Sequence, residues 1–213
     1  MDTTLVIGNK NYSSWSLRAW LPLRQAGLSF REEVIPLRRK DTAERILTWS
    51  PSGKVPALLH EGNTIWDSLA IGEYLADLCP QVGLLPAERP ARARARSIIA
   101  EMHAGFVALR KECPMDMRAH RPAELSADTQ RDVERISAIW EDCLEAVGGT
   151  GFLFGAPGLA DAFYAPVASR FATYGILPGP LGQAYMQQVQ EWPLYQEWLN
   201  AARQEAWDFN LTA

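Results

Sequence analysis

Cysteine and histidine are scarce in this sequence, three of each among 213 residues. Cys79, Cys113 and Cys143 are widely spaced and odd in number. They form neither a C-x-x-C nor a zinc pattern, so they read as structural thiols in a reducing compartment rather than a disulfide framework. His60, His103 and His120 make no ligand spacing, and no metal site is expected. Long apolar runs are missing as well. Nothing approaches the roughly 20 residues of a membrane span, and the opening MDTTLVIGNK has no signal-peptide apolar segment. A cytoplasmic protein without membrane contact is the expectation. Charge of one sign is not concentrated either: the formal net charge is -4. The nearest approaches to a basic patch are Arg38-Arg39-Lys40 and the set Arg92, Arg94, Arg96. A helix spreads the second around its circumference. Both read as solvated faces, and a nucleic-acid partner is not expected.

What is present is most informative between Ser52 and Ala76, SGKVPALLHEGNTIWDSLAIGEYLA. Pro56 cannot donate to a sheet ladder and belongs at a strand start or an edge. Ala57 to His60 is a short apolar run, Glu61-Gly62-Asn63 is a turn signal, and Thr64-Ile65-Trp66 is β-branched and aromatic, so the pair predicts a hairpin. Asp67 and Ser68 then precede Leu69, Ile71, Tyr74 and Leu75 at helical spacing. Both residue types favour a helix N-terminus, where outward N–H groups and the dipole attract negative charge. Alone, that pattern reads as an N-cap. It is also a ready-made carboxylate site.

Taken in order, Thr4 to Ile7 predicts a buried strand, and Ser14 to Gly27 a helix that Pro22 must kink or shorten. Phe30 to Pro36 predicts an edge strand, and Arg38 to Trp49 a short mobile helix. The hairpin and its helix follow. The order β-α-β-α-β-β-α gives a mixed four-stranded sheet with packed helices over residues 1–80. Residues 81–88 are turn-rich and read as a linker. Residues 89–213 read as all-helical, with one long helix over Ala91 to Arg110, a second over Thr129 to Val147, a third from Leu159, and the last between Leu181 and Ala202.

The string S-G-K-V-P-A-L, a hairpin, then D-S-L-A-I-x-E-Y-L resembles the glutathione-binding half of the glutathione transferase superfamily. The resemblance implies a thioredoxin-like first domain, a cis-proline at Pro56, and glutathione as co-substrate. A second segment, GFLFGAPGLADAFYAPVASRF, resembles the family's C-terminal core motif, with Asp161 in place. Gly158 stands where the family has a Ser or Thr cap. That substitution usually costs only a few tenths of a kcal/mol, and Asp161 is read as structural.

A third segment, SSWSLR from Ser13 to Arg18, is most similar to the serine-type pattern S-S-C-S-x-R of the zeta class, with Trp15 at the cysteine's position. Transfer of glutathione needs a thiolate, which a hydroxyl donor at a helix N-terminus stabilises. The resemblance makes Ser13 the first choice for that donor, Ser14 the second and Tyr12 the third. Turn and cap chemistry is the other account of these hydroxyls. Without a cysteine here, disulfide-type thiol transfer is disfavoured, and Trp15 weakens the case for maleylacetoacetate isomerisation. The resemblance further implies that Trp15, Pro56 and the Val55 backbone line the glutathione site. Ser68 and Asp67 would take the γ-glutamyl end, and Lys54 or Lys40 the glycine carboxylate. Met102, Phe106, Leu109 and Arg110 are candidates for an electrophile pocket, although such a stripe also suits core. A homodimeric, serine-type transferase acting on a small hydrophobic electrophile is the expectation. An isomerase of a maleyl-type diacid, using Arg110 or Arg18, and a non-enzymatic glutathione-binding module are the alternatives.

Overall fold

The computed structural model describes residues 3–207. It opens with strand β1 (Thr4–Ile7), helix α1 (Ser14–Gln25), β2 (Arg31–Val34), α2 (Thr42–Leu47), the hairpin β3 (Ala57–His60) and β4 (Asn63–Trp66), and α3 (Ser68–Leu78). The sheet order is β2-β1-β3-β4, with β1 parallel to β2 and antiparallel to β3. The β2 segment therefore does lie at an edge. Alternation along β1 divides its side chains between two layers. Leu5 and Ile7 join the large core under α1 and α3, whereas Val6 joins Ile35, Ile46 and Ala57 beneath α2. This is a thioredoxin-like domain followed by helices.

Two local expectations are refined and a third is met. The hairpin turn holds only Glu61 and Gly62, both at positive φ as a two-residue type I′ turn requires, so Asn63 belongs to β4. Pro22 does not stop α1, which continues to Gln25 and ends with the Ala26 N–H donating to the Pro22 carbonyl at 2.9 Å. The bond between Val55 and Pro56 is cis, as the family resemblance implied.

The remaining helices are α4 (Arg89–Ala104), α5 (Val107–Glu112), α6 (Ala127–Ala146), α7 (Leu159–Tyr174), α8 (Pro180–Glu191) and α9 (Pro193–Gln204). None of the described helices is long and apolar enough to cross a membrane. The single helix expected over Ala91 to Arg110 is instead two. Gly105 leaves the helix with ψ -164, and Phe106 takes the left-handed conformation at φ 53. A Cβ at Gly105 would stand 2.7 Å from the Glu101 carbonyl oxygen, so the break requires glycine there.

The first helix of the chain packs against α3 and α7, and one continuous core runs from Leu5 and Leu17 through Trp140 and Phe163 to Trp198. Cys79, Cys113 and Cys143 are free and buried. Asp161 is structural, as read. Its carboxylate accepts from the Leu153 N–H at 3.1 Å, the Gly158 N–H at 2.9 Å and the Tyr185 hydroxyl at 3.0 Å. Burial pushes its pKa up to about 6 against the pull of these donors. Gly158 has a steric reason of its own: a Cβ there would lie 2.8 Å from the Leu84 carbonyl oxygen.

Candidate functional site

The N-termini of α1 and α3 converge on a cleft of about 680 Å³. Ser13, Trp15, Lys54, Val55, Pro56, Trp66, Asp67 and Ser68 are among the residues that line it. Seven of the expected site residues are thus brought together: Ser13, Trp15, Lys54, Val55, Pro56, Asp67 and Ser68. The strand register places Val55 usefully. The ladders of β3 with β1 and with β4 extend only to Ala57, so Val55 lies beyond both of them.

Asp67 caps α3 from a backbone at φ 75, outside the usual range for a residue with a side chain. Its Oδ1 accepts from the Leu69 N–H at 2.8 Å, which leaves Oδ2 facing the His103 Nε2 of α4 at 3.4 Å. Ser68 follows as the first helical residue. Its hydroxyl is fully buried, lines the cleft and has no partner in the protein. A buried polar atom left in this way needs an explanation, and a ligand carboxylate at a helix N-terminus supplies one.

Ser13 and Ser14 point to different places. Ser13 caps α1 and lines the cleft, with its Oγ 2.7 Å from the Ser16 Oγ. Ser14 turns toward the helical domain, where its Oγ accepts from the Arg170 Nη2 at 3.2 Å. It lines a second cavity of about 310 Å³ together with Tyr12, Arg110, Lys111, Met115 and Arg170. Trp15 borders both spaces. Tyr12 belongs to this second cavity, and its hydroxyl accepts from the Arg118 Nη2 at 3.2 Å.

Arg110 and Arg170 line this second space, and Arg18, which lines neither cavity, feels the charge of both. Arg18 is buried with all three guanidinium nitrogens unpartnered, its Cζ 4.6 Å from the Trp15 ring centre and 5.3 Å from that of Phe163. Arg170 donates only to neutral groups: the Cys113 carbonyl, the Pro166 carbonyl and Ser14. The Arg110 Cζ lies 5.6 Å from the Trp15 ring centre. Among the described residues no carboxylate forms an ion pair with any of the three. Burial, then the charges of Arg170 and Arg110, lower the Arg18 pKa to about 9. Burial and then Arg110 lower that of Arg170 to about 10.

Two groups of expected site residues lie elsewhere. Met102, Phe106 and Leu109 are packed into the main core, and of the four proposed electrophile-pocket residues only Arg110 lines the second cavity. Lys40 is exposed in the turn before α2 and is not among the residues lining the cleft, whereas Lys54 is. Ser16, His103 and Arg170 were not anticipated at the site. Ser16 and Arg170 lie inside SSWSLR and GFLFGAPGLADAFYAPVASRF, so the motifs held them without revealing their direction.

Comparison with known proteins agrees with this architecture. The family models described as Glutathione S-transferase, N-terminal domain and Glutathione S-transferase, C-terminal domain match residues 12–78 and 122–201. A glutathione transferase homologue from Burkholderia GL BGR1, solved with bound glutathione, superposes with a TM-score of 0.72 and 25% identity, covering 95% of this chain and 98% of that one. A maleylacetoacetate isomerase from Pseudomonas aeruginosa is 29% identical over 78% of this chain and 80% of its own. A probable maleylacetoacetate isomerase from Caenorhabditis elegans is 34% identical, but over only 40% of this chain and 39% of its own length. The chain belongs to the glutathione S-transferase family, with zeta-like relatives, and glutathione is the co-substrate of that family.

Proposed function

We propose that the chain binds glutathione in the cleft between α1 and α3 and transfers its thiolate to a small electrophile. The observation that carries this reading is the buried, unpartnered Ser68 hydroxyl at the N-terminus of α3, beside Asp67 and in the same cleft as Ser13. Ser68 takes the γ-glutamyl carboxylate, and Asp67 accepts from the ammonium through the oxygen not used in capping. The Val55 backbone holds the cysteinyl unit, and Lys54 takes the glycine carboxylate. The thiol gives its proton to solvent. The sulfur anion then accepts from the Ser13 hydroxyl at the positive end of the α1 dipole and attacks the electrophilic carbon. The C–S bond forms while the carbon's bond to its leaving group, such as a halide, breaks and the halide departs with the electron pair. Buried free thiols fit a reducing, cytoplasmic setting, and a two-fold homodimer is part of the proposal, checked by sedimentation.

The test is steady-state conjugation of glutathione to an activated aryl halide. Ser68→Ala removes a hydrogen bond to a charged group, usually worth about 1.5–3 kcal/mol, so the glutathione KM should rise roughly 10- to 100-fold. An unchanged KM would contradict the assignment of the γ-glutamyl site.

A second reading is favoured by a separate observation. Arg110 and Arg170 line the cavity behind Trp15 without a carboxylate partner among the described residues, and the Pseudomonas aeruginosa relative is named a maleylacetoacetate isomerase. Glutathione-dependent isomerisation of an anionic diacid would use that charge. Turnover of a maleyl-type diacid without net consumption of glutathione, lost in Arg110→Ala, would favour it. Conjugation of neutral electrophiles with no diacid turnover would exclude it.

A further inference from the structure

We propose that Ser16 is a positioning residue for the thiol step, fixing the Ser13 hydroxyl as a donor to the sulfur. This rests on the reading that Ser13 is the thiolate partner. A chain of three hydrogen bonds carries it. The Gly8 backbone N–H reaches the Ser16 Oγ at 3.0 Å, the Ser16 Oγ lies 2.7 Å from the Ser13 Oγ, and the Ser16 N–H reaches the Ser13 Oγ at 3.4 Å.

The sense of this chain is fixed at its anchored end. A backbone N–H only donates, so the Ser16 oxygen accepts from Gly8. Two arrangements then remain for the pair of hydroxyls. If Ser13 donated to Ser16, the Ser16 proton would be left in a fully buried site without a hydrogen-bond acceptor among the described residues. If Ser16 donates to Ser13, both hydroxyls are satisfied. The Ser13 oxygen then accepts twice from Ser16, once from its hydroxyl and once from its N–H. Both lone pairs of Ser13 are filled, and what remains is its own O–H, which is free to donate into the cleft that the residue lines. Each donor in the row polarises the next, which strengthens the last bond.

The arrangement departs from ordinary capping. A capping box places Glu or Gln at the third helical position, reaching back to the N-cap N–H. Here that position is Ser16, and the Ser13 N–H is already committed to the Asn9 carbonyl at 2.8 Å. The short side chain of Ser16 therefore meets the Ser13 hydroxyl instead. One helical turn thus converts an N-cap, whose hydroxyl normally needs only to accept, into a directed donor.

The test is the pKa of glutathione bound to the full chain, read from ultraviolet thiolate absorbance, in wild type, Ser13→Ala, Ser16→Ala and the double variant. Ser16→Ala is expected to raise the bound thiol's pKa by about 0.5 and to cause no further rise when Ser13 is already alanine. Binding of S-methylglutathione, which has no thiol, should be unchanged by Ser16→Ala. If Ser16→Ala lowers the yield of folded protein, Ser16→Cys keeps a weak donor at nearly the same volume. It should give an elevation that is smaller than that of Ser13→Ala and absent in the Ser13→Ala background. A wild-type pKa in both Ser16 variants, with Ser13→Ala raised, would overturn the positioning role and leave Ser13 in place. An equal rise with and without Ser13 would also overturn it, since Ser16 would then act by another route. No rise in Ser13→Ala itself would remove the underlying reading, and the role of Ser16 with it.

Discussion

Asp67 holds two duties in one carboxylate. One oxygen caps α3, and the other faces both the cleft and His103 from a backbone at positive φ. Strained backbone of this kind persists where the surroundings over-determine it, and it gathers at binding sites. Asparagine caps a helix as well as aspartate does. Asp67→Asn should therefore leave the melting temperature within a degree or two while weakening glutathione binding about tenfold, the loss of one charged hydrogen bond. Calorimetry and a thermal scan on the same sample check it, and unchanged affinity would remove Asp67 from the ligand contacts. His103 adds a pH dependence. Burial lowers its pKa, Asp67 pulls it back up, and the Arg18 and Arg110 charges lower it further. The folded state thus binds its proton less readily than the unfolded chain does. The associated stability is fully present above the usual histidine value near 6.5 and is lost as pH falls through the lowered folded value. Between pH 8 and 5, wild type should lose stability relative to His103→Gln in urea titrations. Parallel curves would contradict this.

At the scale of elements, the N-terminus of α7 shows how packing overrides local propensity. By propensity alone, serine at position 158 would improve the cap slightly. The Leu84 carbonyl oxygen stands 2.8 Å from where its Cβ would be. Gly158→Ser should therefore destabilise the protein by about 1–3 kcal/mol, a typical cost of overpacking, as read by chemical denaturation; a gain in stability would show that the linker yields. Asp161→Ala strands two backbone N–H groups and the Tyr185 hydroxyl in the core. It should cost about 3–5 kcal/mol, the upper range for breaking a buried network. The same contrast explains what was legible in the sequence. The hairpin from Ala57 to Trp66 and the start of α3 could be read because turn residues and caps act over a few positions. The break at Gly105 could not, because Ile98, Ile99, Met102, Phe106 and Leu109 keep helical spacing across it, and only the backbone at Gly105 and Phe106 departs. The placement of the electrophile-pocket candidates was hidden for a related reason. An apolar stripe looks alike whether it faces core or ligand, and Met102, Phe106 and Leu109 face core.

At the scale of the molecule, residues far apart in sequence hold the loop that presents Ser13. The Glu205 carboxylate, just past α9, accepts from the Lys10 N–H at 2.6 Å and the Asn11 N–H at 3.0 Å, while the Trp198 Nε1 donates to the Lys10 carbonyl at 2.9 Å. Such contacts span nearly the whole chain and leave no local signature. Glu205→Ala removes two charge-assisted bonds to this loop, and a displacement of about 1 Å at a reacting group can cost roughly 100-fold in rate. A fall in kcat larger than any rise in the glutathione KM is expected from steady-state kinetics. Equal kcat would show that the loop holds its place without the strap. The central claim is that Ser13, not Ser14, stabilises the thiolate, since Ser13 faces the cleft and Ser14 is bound to Arg170. Ultraviolet difference titration of bound glutathione in wild type, Ser13→Ala and Ser14→Ala tests it most directly. A thiolate band that forms below the free thiol's pKa in wild type and Ser14→Ala, and is lost in Ser13→Ala, is the predicted result. Loss of the band in Ser14→Ala with its retention in Ser13→Ala would contradict the account.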